Sequence, residues 1–312
     1  MADQGEAGEV RVWRPHWPCP VGQTLSILRK GPGDPTYRVD PDGTVWRGIG
    51  TPEGPAGLRL RTQRDGAVHA TAWGDGAAWA LDSVPAMLGG RDDPAGFTEM
   101  CREHQVLREA HRRHPHWRVT RTGLVLEALV PAIIEQKVTG QEAFAGFRTL
   151  VHWYGERAPG PHPRLWVQPS PQTIRTIPSW EWLKMHVDPA RSRTAVLVAQ
   201  RASALERTVG LPAGEVDRRL RSIPGVGVWT SAEVRFRAHG DADAVSFGDY
   251  HIPADIGWAL TGEPVDDAGL EALLAPYRPH RYRVQRLVEL AGIARPRRGP
   301  RMAPRTHLPV GR

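Results

Sequence analysis

Between Leu220 and Pro253 the sequence reads LRSIPGVGVWTSAEVRFRAHGDADAVSFGDYHIP, and the residue types best suited to chemistry are gathered there. A glycine-rich turn, Ile223-Pro224-Gly225-Val226-Gly227, separates two stretches of helical character, and an acid, Asp249, follows about twenty residues later. Two glycines one residue apart let the backbone come close to a partner. They also leave N–H groups free at the start of the second helix, where the helix dipole favours an anion such as a phosphate. Asp249 and Pro253 together read as another helix start, with proline inside the first turn, where its missing N–H is harmless. A carboxylate in that position is either only a cap, or a cap that is also oriented and kept ionised for chemistry.

The Pro224-Gly225-Val226-Gly227 turn, the Trp229-Thr230 pair after it and Gly248-Asp249-Tyr250 resemble the helix-hairpin-helix DNA glycosylase superfamily, most of all the bacterial 3-methyladenine DNA glycosylase II family. The resemblance implies that Gly225, Val226, Gly227 and Thr230 grip a DNA strand beside a flipped nucleotide. It also implies that Asp249 drives cleavage of the N-glycosidic bond. Base-pocket roles follow for Trp229, Tyr250 and Glu233, with Trp229 the leading stacking residue. Gln136 and Lys137 match the loop that such proteins insert where the nucleotide has left; which of the two fills the gap is open, because Lys137 replaces an apolar wedge. Glu233 stands where relatives tend to place an aromatic, and the last helix lacks the tryptophan they use to close the pocket.

Superfamily members that also cut the strand carry a lysine at the position of Trp229, so the resemblance implies a monofunctional enzyme that leaves an abasic site, without a cofactor. The implied substrate is double-stranded DNA with a damaged base, such as the alkylated purine 3-methyladenine. An oxidised or deaminated base is one alternative, and a non-catalytic helix-hairpin-helix DNA-binding protein is another.

The formal charge of +7 and a pI near 10.0 suit a polyanionic partner. Much of the excess lies in residues 295–312, which hold six arginines and no acid and read as a disordered basic tail. Cys19 and Cys101 are the two cysteines of the chain, too few for a disulfide framework or for a four-cysteine metal or iron–sulfur site. No apolar run reaches membrane-spanning length and the N-terminus lacks a signal pattern, so the expectation is a cytoplasmic protein that uses no membrane and acts as a monomer.

The elements that must position these residues suggest an α+β fold: an N-terminal antiparallel β-domain (1–90), then a mainly α-helical helix-hairpin-helix core (91–294, the motif at about 213–239). From Thr24 to Trp73 short alternating runs (LSIL, TYRV, TVWRGI, LRLR, AVHATAW) are divided by Pro41-Asp42-Gly43 and Arg64-Asp65-Gly66, giving two hairpins. Trp13, Trp17, Trp46 and Trp73 are expected to pack this sheet.

Beyond Gly89-Gly90 the texture is helical. Phe97 to His114 reads as one polar helix, whose His104, His111 and His114, with His116, sit among arginines on a solvated or DNA-facing side or, alternatively, form a metal cluster. Leu124 to Ile134 is apolar nearly all round and should be buried on most sides. Asp188-Pro189 is a strong helix start, and Val216, Leu220 and Ile223 give the first hairpin helix an apolar stripe. Ala232 to Ala238 alternates as a strand would, but the hairpin context favours a helix.

Overall fold

The computed structural model describes residues 7–295, so the 295–312 tail lies outside the described residues but for Arg295. The chain opens with β1 (Glu9–Trp13), α1 (Val21–Leu25), β2 (Tyr37–Val39), β3 (Val45–Thr51), β4 (Gly54–Thr62) and β5 (Val68–Trp73). The five strands form one antiparallel sheet in the order β1-β5-β4-β3-β2. Alternation along β4 turns Ala56, Leu58 and Leu60 to one face, where α2 (Ala77–Met87) covers them with Ala80, Leu81, Val84 and Met87. On the other face Trp46 and Trp73 stack at 5.8 Å between ring centroids and pack against Leu165 and Val167.

Three features differ from the expectation. A third hairpin joins β3 to β4 at Thr51–Gly54, and β1 adds an edge strand whose register against β5 no local turn announces. The LSIL run is helical: Thr24 N–H bonds the Pro20 carbonyl (2.9 Å), Ser26 Oγ bonds the Gln23 carbonyl (2.7 Å), and a short 3-10 turn (Ser26–Leu28) follows.

The remainder is mainly helical: α3 (Phe97–Arg102), α4 (Gln105–Arg113), α5 (Val125–Ile134), α6 (Gly140–Tyr154), a two-stranded ribbon of β6 (Glu156–Arg157) and β7 (Trp166–Val167), then α7 (Pro171–Thr176), α8 (Ser179–Lys184), α9 (Pro189–Gln200), α10 (Ala202–Glu206), α11 (Ala213–Arg221), α12 (Val228–Val234), α13 (Ile252–Thr261), α14 (Asp267–Leu274) and α15 (Arg281–Leu290). The expected helix over Phe97–His114 divides at His104, which is extended and bonds the Leu260 carbonyl through Nε2 (2.8 Å). The Ala232–Ala238 alternation has its own resolution. After Val234 the helix widens into a π turn (Arg235–His239), and that change of register buries Phe236, Arg237 and Ala238 together.

Helix α5 is the axis of the helical part, buried on almost every side against α6, α9 and α12. Its first N–H groups, from Val125 and Leu126, are capped by the distant Glu206 carboxylate (2.8 and 2.9 Å), whose own pKa burial still pushes up. Three buried ion pairs hold the interior together where sheet and helices meet: Arg47 with Glu127, Lys30 with Glu135 (2.9 Å), and Arg237 with Glu233 (2.5 Å). No helix among the described residues is long and apolar enough to cross a membrane.

Candidate active site

Helices α11 and α12 and the turn between them build a helix-hairpin-helix, and the apolar stripe Val216, Leu220, Ile223 is buried as its spacing demands. Gly225 has φ +89°, and a Cβ there would lie 2.1 Å from Thr194 Oγ1, so both backbone and space require glycine. Gly227, by contrast, faces open space. Val226 is buried and its N–H bonds the Ile223 carbonyl (3.0 Å). Among the described residues no protein acceptor is found for the Gly225 and Gly227 N–H groups, which leaves them for an external anion at the head of α12.

One residue into α12, Trp229 turns its indole towards the candidate catalytic acid. Its Nε1–H donates to Asp249 Oδ2 at 3.0 Å. The other oxygen, Oδ1, accepts from the backbone N–H of His251 (2.7 Å) and Ile252 (3.0 Å), so Asp249 closes the start of α13. Three N–H donors therefore fix a half-exposed carboxylate one residue's reach from the hairpin. Among the described residues no cation is bonded to it, and Oδ2, which accepts a single bond, keeps one lone-pair direction to spare.

The remaining expected site residues separate into two groups. Gln136 is tied to the hairpin: its Nε2 donates to the Gly225 carbonyl (2.9 Å) and to Thr230 Oγ1 (2.8 Å), and Thr230 is itself buried. Lys137 is the exposed member of the pair and holds φ +54°, a left-handed conformation rare outside glycine that costs about 1–3 kcal/mol. Tyr250 is 90% exposed, its ring meeting the His251 ring in an edge contact. Glu233 turns inward. It is 7% exposed, paired to Arg237 and bonded through Oε1 to Ser246 Oγ (2.9 Å). Burial opposes the Arg237 charge, but the nearby Glu233 and Glu135 carboxylates more than restore it and hold its pKa above the ordinary value. Lys30 shows the reverse balance: burial, reinforced by Arg237, pushes its ammonium pKa down against the pull of Glu135 and Glu233.

Sequence reading missed the residues that assemble this edge. Buried Arg191 donates to the Ile134 carbonyl (2.6 Å), the His186 carbonyl (2.9 Å) and Asp188 Oδ2 (2.8 Å), joining the Gln136–Lys137 loop to a second strained turn at His186 (φ +62°). The one available hint was the placement of Arg191 three residues after the Asp188 cap. Lys30 likewise holds Glu135, next in sequence to Gln136, from the N-terminal part of the chain.

The fold matches known structures over nearly the full chain. The 3-methyladenine DNA glycosylase of Archaeoglobus fulgidus superimposes with a TM-score of 0.76, covering 90% of this chain and 97% of that one at 15% identity. The apo form of the Clostridium acetobutylicum 8-oxoguanine glycosylase/lyase gives 0.69 over 92% and 99% at 11% identity. The chain has the helix-hairpin-helix DNA glycosylase fold. No family model matches it. A stretch is 30% identical over 210 residues to the probable bifunctional transcriptional activator/DNA repair enzyme AlkA of Mycobacterium tuberculosis, covering 62% of this chain and 39% of that protein. The chain thus spans about two fifths of the length of that curated relative. Within the glycosylase fold, Asp249, Trp229 and the hairpin glycines come together, whereas Glu233 joins the interior and Tyr250 the solvent.

Proposed function

We propose that this chain is a monofunctional DNA glycosylase of base excision repair, hydrolysing the N-glycosidic bond of a flipped, alkylated purine such as 3-methyladenine and leaving an abasic site. The observation that carries this reading is the Trp229–Asp249 bond, which fixes an unpaired carboxylate beside the open hairpin amides. Cleaving C1′–N builds positive charge on the sugar, and a carboxylate held against that charge stabilises the transition state and orients or deprotonates the attacking water. A ring-alkylated purine already carries positive charge and needs no strong general acid to leave. Trp229 offers its ring face to a flat cation, a contact of about 0.5–2 kcal/mol, while the indole N–H positions Asp249. An indole has no amine for a Schiff base, which is why strand cleavage is not expected.

Double-stranded DNA docks through the Gly225 and Gly227 amides, and Lys137, not Gln136, projects into the space the nucleotide vacates. Support comes from Gln136 having its amide nitrogen committed to the hairpin while Lys137 is exposed in a strained backbone. A second reading, excision of a neutral oxidised or deaminated base, draws on Glu233, Ser246 and Gln285, a polar chain where an aromatic wall was expected. Release of 3-methyladenine, 7-methylguanine, hypoxanthine and 8-oxoguanine from defined duplexes separates the two. The Asp249→Asn variant should lose roughly two orders of magnitude or more in release of the preferred base, and the product strand should stay intact without alkali. Undiminished activity of that variant sinks the assignment, and tight abasic-site binding with no release favours a non-catalytic binding protein.

A further inference from the structure

The loop that delivers Asp249 leads from the π turn after α12 to α13, and its two ends are fixed in different ways. Upstream, Ser246 is buried and anchored in the interior: its N–H donates to Gln285 Oε1 (3.1 Å) and its hydroxyl to Glu233 Oε1 (2.9 Å). Downstream, the Asp249 carboxylate closes the start of α13. Between them Gly248 is exposed and takes φ +82°. A Cβ there would meet nothing closer than the Trp229 Cβ at 3.9 Å, so backbone conformation rather than space favours glycine. The Gly248 N–H donates to both carboxylate oxygens of Asp267, each at 3.0 Å, from nineteen residues away in the chain.

Asp267 is the first residue of α14, but its neighbour caps that helix: Asp266 accepts the Gly269 N–H at 2.9 Å. An acid gains from the helix dipole anywhere in the first turn; a three-centre bond to a distant glycine is a further and more specific contact. Among the described residues Asp267 has no ion pair, and Gly248 is its one bonded partner. Holding a single N–H fixes the plane of the Phe247–Gly248 peptide, and with it the direction in which the chain enters Asp249. We propose that Asp267 is a positioning residue for base excision, locking the left-handed turn at Gly248 so that the Asp249 carboxylate meets the Trp229 indole. It acts through Asp249 and not on the substrate. The proposal rests on the glycosylase reading of Asp249, but the placing of the loop is also measurable without activity.

Three readouts test the assignment in the wild type, Asp267→Ala and Asp267→Asn: single-turnover base release, affinity for an abasic duplex, and the NMR signal of the Trp229 indole N–H. Asp267→Ala removes the acceptor and should release the preferred base about tenfold more slowly, as expected when a reacting group shifts by a fraction of an ångström. Its duplex affinity should be unchanged. Asp267→Asn keeps an oxygen for the Gly248 N–H and should restore the wild-type rate. The Trp229 signal, identified by its loss in Trp229→Phe, should move in Asp267→Ala and stay in place in Asp267→Asn. Equal slowing in both variants would make the charge rather than the bond responsible, and a loss confined to duplex affinity would make Asp267 a binding residue. An undiminished rate or an unmoved indole signal in Asp267→Ala would show that Asp249 is placed without it. Each of these results overturns the proposal. Should the wild type release no base, the glycosylase reading fails, while the indole signal still decides whether Asp267 sets the turn.

Discussion

Asp249, bonded to Trp229, and Glu233, four residues after it in the chain, illustrate two ways a fold can treat an acid. Asp249 is held by neutral N–H donors, stays half-exposed and pairs with no cation among the described residues. Glu233, one helical turn beyond Trp229, is sealed against Arg237 and Ser246 in the interior. Dipoles orient a charge without neutralising it, so the first acid remains available to a developing cation. A full counter-charge uses up the second, whose contribution is to cohesion between the sheet and the helices.

The largest expected effect tests the interior half of this contrast. Glu233→Gln leaves Arg237 buried without its counter-charge, and chemical denaturation should show a loss of about 3–5 kcal/mol. Base release per folded molecule should change far less; a fall as deep as that of Asp249→Asn would make Glu233 part of the chemistry and end the distinction. The interior also carries a pH signature. Burial lowers the His239 pKa from 6.5 to about 4. Between those values the unfolded chain takes up a proton that the folded chain refuses. Stability from this group is therefore complete above about pH 6.5 and declines by about 3 kcal/mol as the pH falls towards 4. Melting curves across that window should flatten in His239→Gln.

Smaller effects probe the outer half. Gln136→Ala removes two bonds to the hairpin, each worth about 1 kcal/mol, and affinity for an abasic duplex should fall about tenfold. Lys137→Gly should act in opposite directions: relief of the left-handed strain raises stability by about 0.5–1 kcal/mol, while DNA affinity falls and its salt dependence weakens by about one counterion. A comparably small shift is expected in the stability of Asp249→Asn, which keeps an oxygen for the His251 and Ile252 N–H groups and gives up the bond from Trp229. Denaturation should show a loss of about 1 kcal/mol; a much larger loss would make Asp249 chiefly a structural cap.

Much of the site could be read in advance because its signals are local. The Asp188 cap accepts from Ala190 and Arg191, Asp249 closes α13 ahead of Pro253, and the glycines of the hairpin sit where a turn needs them. Other residues misled for an equally physical reason. The LSIL run has a strand's composition, but the bonds that make it helical begin at Pro20 and Gln23, outside the run. The edge strand β1 is defined only by its pairing with β5 some sixty residues away. For Glu233, nothing near it in sequence reveals that Arg237 turns back on it and that Ile27 and Lys30 lie against that pair.

The sequence by itself determined the helix starts, the hairpin and the acid that closes the start of α13, because caps, turn glycines and apolar spacing act over a few residues. Tertiary structure alone decided which carboxylate keeps its charge free and which loop residue faces outward. Those outcomes depend on burial and on donors brought from distant segments, Arg237 to Glu233, Arg191 to the Ile134 carbonyl and Lys30 to Glu135, and no short stretch of chain contains that information.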